Sequence, residues 1–369
     1  MDLLTLNCGS ATVKAARYRL DADGHVPAEA ERRVLVDAAD GVAAAVAGVL
    51  DDLLDGGDEP VAIGHRVVHG GPDRTDPVVI DDEVLAQLTE LVPLAPIHQP
   101  PALEGVHEAR LRFPRIPQVA CFDTAFHRTM GEVERTLPLP RRLIDGGVQR
   151  YGFHGLSYEY VVGHLGAELP GRAVIAHLGS GASICAVRNG RSVATTMGFT
   201  PTAGVVMGTR SGDVDPGALV HAMRTEGLDA DGLEHLVDRE SGLLGISGRS
   251  NDLRVLATAA EAGDHHARVA IEVFCRSVRH AVAGLATDLD GLDALVFTAG
   301  IGEHSPLVRS EVCKGLGHLG VEIDATVNTA GAPVVSTATS RVVVRVVATD
   351  EEQVIARHTA ALLSANPAP

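Results

Sequence analysis

Two stretches of this sequence share one local design and lie about half a chain apart. Residues 3–20 read LLTLNCGSATVKAARYRL: an apolar strand, a tight polar turn holding a glycine, and a second strand. Residues 173–188 read AVIAHLGSGASICAVR, again a strand, a Gly-Ser-Gly turn and a strand. Asn189-Gly190 then supplies a two-residue hairpin signal, and RSVATT follows as a third strand. Behind each opening, strands alternate with helical segments. The first half holds VAIGHRVVHG (61–70) and PQVACFDT (117–124); the second holds ALVFTAGIG (294–302) and VVVRVVAT (342–349). Such alternation predicts α/β domains, and 369 residues exceed one ordinary core. Residues 125–150 are rich in Pro, Gly and Arg and carry no long periodic pattern. The expected domains are therefore 1–150 and 151–350, with EEQVIARHTAALL (351–363) as a closing helix.

The charge balance narrows the partners. With 31 basic and 48 acidic residues the chain carries −17. That argues against nucleic acid or an anionic membrane, because phosphate backbones need a basic surface. A nucleotide stays open, since its phosphates need only a few local cations or amides. Met1-Asp2 leads straight into a strand, so no secretory signal is expected. The apolar run GVAAAVAGVL (41–50) is too short for a bilayer and reads as a core-facing helix. Five scattered cysteines without a C-x-x-C pair suit a reducing, cytoplasmic setting.

Glycine turns after strands make phosphate cradles, because the backbone can approach closely and point its amides inward. The bland alternative for any single turn is an ordinary hairpin. A third glycine segment, TAGIGEHSP (298–306), follows an apolar strand, and Ser305-Pro306 predicts a capped helix after it. No P-loop or dinucleotide fingerprint is present. Only two lysines stand among the 31 basic residues, and one of them, Lys14, lies just past the first turn. His65 and His69 sit four apart but on a strand without the intervening Glu of a zincin, which argues against a metal. Arg66 alternates with Val67-Val68, so an anion receptor and an apolar wall could meet there. Arg210 lies in the apolar, glycine-bounded loop 197–217. Two such arginines could hold a carboxylate and a phosphoryl group bidentately. Asp123 and Glu351 lie at strand ends, where a carboxylate suits Mg²⁺, a general base, a helix cap or an ion pair.

LNCGSATVK, GHRVVHGG, LAPIHQPPAL, FDTAFHRTM, RYGFHGLSYEYV, HLGSGASICAVRNGRSVATTMGFTP, MGTRSGDVDPG, SGLLGISGRSNDLR and FTAGIGEHSPLVR together resemble the acetate kinase family in order and spacing. The resemblance runs from about residue 3 to about 360. It implies two actin-like (ribonuclease H-like) domains in a duplicated fold around a nucleotide cleft, with the last helix returning to the N-terminal domain. It also implies a homodimer and reversible transfer between ATP and acetate, giving ADP and acetyl phosphate. The metal would be Mg²⁺, for which Mn²⁺ could stand in. Carried over by position, Asn7 and Glu351 would hold the metal, with Asp123 acting near it and the acetate. Arg66 and Arg210 would bind the carboxylate and the transferring phosphoryl, and His154 would stabilise that phosphoryl. Val68, Ile97, Phe153 and Pro201 would form the methyl pocket, and His98 would line the site. Ser10, Thr12, Lys14, His177, Gly179, Ser180, Gly181, Gly300, Ile301 and Gly302 would meet the nucleotide.

The sequence departs from the family pattern at three places. Ser180 replaces an Asn, Thr202-Ala203 replaces Leu-Glu, and Asp350 replaces an Asn, adding a carboxylate expected near the metal. The rival readings are a propionate or other short-chain acyl kinase, a sugar or polyol kinase with Asp123 as base, and a non-catalytic ATP-binding module. A carboxylate is already a nucleophile, so alignment and charge neutralisation suffice, and direct in-line transfer is expected.

Overall fold

The computed structural model describes residues 1–9, 12–54 and 57–365. The chain divides into two compact units. Unit 1 comprises Met1–Arg128, Phe153–Tyr160 and the chain from Asp350 onward; unit 2 comprises Thr129–Gly152 and Val161–Thr349.

The sheet of unit 1 is built from β1 (Asp2–Cys8), β2 (Thr12–Arg19), β3 (Arg32–Asp37), β4 (Ala62–Val67), β5 (Val78–Val79) and β6 (Gln118–Phe122), in the order β3-β2-β1-β4-β6-β5. Unit 2 holds β7 (Arg172–Leu178), β8 (Ala182–Arg188), β9 (Arg191–Thr195), β10 (Ala294–Thr298) and β11 (Val343–Val346), in the order β11-β10-β7-β8-β9. The wiring is the same in both, apart from β5, which adds to β6 antiparallel at the edge of the first sheet. An antiparallel trio (β1-β2-β3, β7-β8-β9) is extended on its other side by parallel strands (β4 and β6, β10 and β11). The duplication expected from the two glycine openings is thus a duplication of topology. The hairpin at Asn189-Gly190 has positive φ at both residues (50° and 76°), the type I′ geometry that the Asn-Gly pair favours.

Burial follows strand position. Every residue of β6 and β10 is buried, as is all of β1 after Asp2, so these inner strands read as near-continuous apolar runs. Edge strand β3 alternates, leaving Arg33, Leu35 and Asp37 exposed. The helix Val42–Leu54 turns Val42, Val46, Val49, Leu50, Leu53 and Leu54 inward against β2 and β3, the core-facing helix expected for its apolar run. In unit 2 the helix His265–Asp288 packs across β7, β8 and β9, with Asp264 capping it by accepting from the Ala267 amide at 3.1 Å.

The helix Glu351–Ala365 lies on β1, β4 and β6 of the unit 1 sheet. Gly64 on β4 permits this approach, because a Cβ there would run into Thr359 Oγ1 and Ile355 Cγ2.

The chain crosses between units more often than one boundary near 150 allows. Segment 129–152 is tied to the edge of the second sheet: Thr129 Oγ1 donates to Ser192 O (2.7 Å), and Arg150 Nη1 donates to the carbonyls of Thr195, Thr196 and Met197 (3.1, 3.0 and 3.1 Å). The chain then returns to unit 1 for Phe153–Tyr160. There Gly155 N–H donates to Asp123 O (2.8 Å), and the Phe153 carbonyl pairs with His127 Nε2 (3.0 Å).

Candidate active site

β1, β4 and β6 are neighbouring parallel strands, so their carboxyl ends deliver Asn7, Arg66 and Asp123 side by side. Ligand sites in α/β sheets gather at such ends. Arg66 grips Asp123 through Nε (3.0 Å) and Nη2 (2.5 Å), both on Oδ2. Asp123 is fully buried, and its Oδ1 has no hydrogen-bond partner among the described residues. A buried carboxylate oxygen without a partner is costly unless something else ligates it.

Asn7 is buried and donates Nδ2 to Glu351 Oε2 (2.9 Å) and Glu352 Oε1 (3.3 Å). Burial pushes the Glu351 carboxyl above its ordinary value; Arg66 pulls it down, Asp123 and Glu352 push it up, and Lys14 pulls it down. Burial works against the Arg66 charge, but Asp123, Glu351 and Glu352 outweigh it and hold the guanidinium above its usual value. Three carboxylates thus face two cationic side chains. That oxygen-rich, acid-heavy set, with one orphaned oxygen, fits a hard divalent cation.

The lone lysine beyond the first turn now has a place. Lys14 on β2 pairs directly with Asn7 in the antiparallel ladder, and its charge acts on Glu351. Thr12 begins β2, exposed, with its carbonyl accepting from Gly9 N at 2.9 Å. Ser10 lies outside the described residues.

RYGFHG is explained by close quarters. His154 has φ 60°, left-handed for a residue with a side chain, and Gly152 has φ 74°. A Cβ at Gly155 would strike the Asp123 carbonyl. The segment therefore presses against the strand end that bears Asp123, and His154 and Asp123 share one corner of unit 1.

Val68 and Phe153 are both buried (2% and 1% exposed), and the Phe153 ring meets His69 edge-on at 5.8 Å. Gln99, which sequence reasoning missed, clamps this wall. Its Oε1 accepts from His69 N (3.1 Å) and its Nε2 donates to His69 O (3.2 Å) and Leu88 O (3.3 Å). Ile97 and His98, both half-buried, immediately precede it in the chain. The motif LAPIHQPPAL contained that signal as a polar residue before two prolines. The histidine pair serves the core: His65 Nε2 pairs with Gln118 Oε1 (2.5 Å), and His69 Nδ1 accepts from Gly71 N (2.8 Å).

Unit 2 assembles a second group. Gly179 N–H donates to Gly181 O (2.9 Å), closing the Gly-Ser-Gly turn, and the Ser180 carbonyl accepts from Gly208 N (3.1 Å). That bond attaches the turn to the loop bearing Arg210, whose Nη1 donates to Pro201 O (2.7 Å). His177 is buried on β7, opposite Thr298 of β10. A Cβ at Gly179 would lie 3.8 Å from Ala299 Cβ and 3.9 Å from His177 Nε2, so these positions are neighbours.

Two expectations need correction. Gly300, Ile301 and Gly302 are not an open turn but belong to the short helix Ala299–His304, which begins at once after β10 with Ala299 at φ 63°. Ser305 does cap the next helix, Pro306–Cys313, accepting from Val308 N at 3.3 Å. Asp350 does not add a carboxylate to the Asn7 cluster. Its side chain is held by Arg33 and by the Gln353 amide.

The duplicated sheet topology, with a charged cluster at the strand ends of the first sheet, is a two-unit α/β fold shared with solved acyl kinases. The Acetokinase family matches residues 26–357, and the chain belongs to it. It is 52% identical over 310 residues to an acetate kinase of Methylocella silvestris, spanning 83% of this chain and 76% of that one. A crystal structure of Porphyromonas gingivalis acetate kinase superposes with a TM-score of 0.85 at 37% identity, over 98% of this chain and 99% of that one. A propionate kinase from Francisella tularensis subsp. tularensis SCHU S4 gives 0.87 at 35% identity, over 97% and 98%. The activity that goes with the family is phosphoryl transfer between ATP and acetate with a divalent metal. Among the described residues no helix is long and apolar enough to cross a membrane.

Proposed function

We propose that the chain forms acetyl phosphate and ADP from acetate and ATP, reversibly, by direct attack of the acetate carboxylate on the terminal phosphorus. The observation that carries this reading is the Arg66–Asp123 pair, with the second Asp123 oxygen left for another ligand. Arg66 neutralises the acetate carboxylate, and Val68, Ile97 and Phe153 enclose its methyl group. His154, beside the Asp123 strand end, donates to the transferring phosphoryl. In unit 2, Arg210 takes the same role and Pro201 contributes an apolar surface. The Gly179–Gly181 turn, with His177 and Gly300–Gly302, receives the nucleotide. Thr12, Lys14 and Ser10 supply phosphate donors in unit 1, and His98 lines the acetate side.

Asp123, Glu351 and Asn7 would hold Mg²⁺, with Mn²⁺ as a substitute. Bound there, the ion would neutralise charge on the phosphate oxygens. No residue need act as a strong base or form a phospho-enzyme, because the nucleophile arrives ionised. The family resemblance supports a homodimer. The five cysteines are buried free thiols, which supports a cytoplasmic setting.

The test is incubation with ATP, Mg²⁺ and hydroxylamine, with acetate or propionate present. Acetohydroxamate formed faster than propionohydroxamate supports the reading. The likeness to a propionate kinase makes the reverse preference the second reading. ADP without any hydroxamate would overturn both.

A further inference from the structure

The last helix carries Glu351 and Glu352 in its first turn, and something must fix that turn. Arg33, on edge strand β3, grips Asp350 with both guanidinium ends: Nη1 donates to Oδ1 at 3.1 Å and Nη2 pairs with Oδ2. The same Nη2 reaches the Tyr18 hydroxyl (3.3 Å), and Nη1 lies 3.7 Å from Glu352 Oε2. Asp350 Oδ1 also accepts from Gln353 N at 3.0 Å, capping the helix. Gln353 Nε2 in turn donates to Ala28 O, in the loop between β2 and β3. Both oxygens of Asp350 are therefore engaged away from Asn7, while Glu351 and Glu352 meet the Asn7 amide.

We infer that Arg33 and Asp350 are positioning residues: their ion pair clamps the helix start to the β2–β3 hairpin and so aims Glu351 at the metal held beside Asn7. The inference rests on the metal role proposed for Glu351. An asparagine at 350 could cap the helix but could not make the ion pair. The acidic residue and the edge-strand arginine therefore work as one unit, and Asp350 is not itself a metal donor. Partners that orient a metal ligand without touching the metal set its affinity, and losing one costs about tenfold or more.

The experiment is a titration of the ADP-saturated protein with Mn²⁺, reading free Mn²⁺ by electron paramagnetic resonance. The variants are Arg33→Met, Asp350→Asn, the double variant and Glu351→Ala, each checked for native circular dichroism; Arg33→Gln, which also removes the charge, replaces any Arg33→Met protein that does not fold. The expected result is Mn²⁺ affinity lowered about tenfold in each single variant at 33 and 350, with the double no worse than either. Unchanged or tightened affinity in Arg33→Met would overturn the inference, because releasing Asp350 would then have added a donor or done nothing. Glu351→Ala separates the layers. If it weakens Mn²⁺ while Arg33→Met does not, only the positioning role fails; if it does not weaken Mn²⁺, the metal role of Glu351 fails as well.

Discussion

Gly155 donates its backbone N–H to the Asp123 carbonyl at 2.8 Å, and this contact holds His154 beside the Asp123 strand end. A Cβ at 155 would collide with that carbonyl and sit 3.0 Å from Phe126 Cβ. Gly155→Ala must therefore push the RYGFHG segment away from the strand. The expected outcome is a loss of about 1–3 kcal/mol in stability, the scale of overpacking a tight site. Catalytic loss should be larger still, because a shift of about 1 Å in a reacting geometry can cost about a hundredfold. Denaturant melts and kcat for acetate check both; a near-native variant would show that the contact positions nothing.

Arg66→Ala should lower kcat/KM for acetate by about 2–4 kcal/mol in activation free energy, the worth of a preorganised charge donor. The variant also strips Asp123 of its ion-pair partner, so some stability should go with it. Arg66→Lys should not restore activity, since a point charge cannot reproduce the two-pronged grip. Steady-state kinetics on the three proteins, with melts alongside, separate the catalytic loss from the folding loss.

Val68 closes the apolar end in this account. Val68→Ala should shift the propionate-to-acetate ratio of kcat/KM toward propionate by about 1–3 kcal/mol, the usual value of a methylene in an apolar pocket. An unchanged ratio would place the methyl group elsewhere.

Acid should weaken unit 1 through its buried histidines. Burial pushes the pKa of His65, His69 and His127 down to about 4; for His65 the Gln118 bond opposes it, and for His127 the Phe153 carbonyl and then Asp123 do. In the unfolded chain these histidines titrate at about 6.5. Between 6.5 and 4 the unfolded state binds more protons, so stability is full above about 6.5 and falls as pH drops. Each histidine should cost roughly 1–2 kcal/mol by pH 5. Chemical denaturation at pH 7.5 and pH 5 measures the fall. His127→Gln should make it shallower, and a flat profile would contradict the neutral, buried state.

The strands were legible because inner strands of such sheets are buried on both faces and must be written as apolar runs. The Asn189-Gly190 hairpin was legible because few residues accept positive φ at both turn positions. The double crossing at 129–160 was not, since Arg150 secures that segment through backbone carbonyls, which leave no side-chain pattern. Gly300 and Gly302 suggested a turn, but the strained residue is Ala299, and the glycines sit inside the helix it starts. Asp350 resembled a metal donor by its neighbours in sequence. Its true partner, Arg33, comes from a strand more than 300 residues earlier. Gln99 escaped notice because its value lies in bonds to the backbone of a distant strand end.

The central claim is that an acetate oxygen attacks the terminal phosphorus of ATP. Acetate carrying ¹⁸O at both oxygens should be incubated with ATP, Mg²⁺ and the protein, with hydroxylamine present. Hydroxylamine attacks the acyl carbon of acetyl phosphate, so the bridging oxygen leaves with phosphate. The expected products are acetohydroxamate and phosphate bearing one ¹⁸O by mass spectrometry. Acetate-dependent phosphate free of ¹⁸O, or no acetate-dependent phosphate at all, would contradict it.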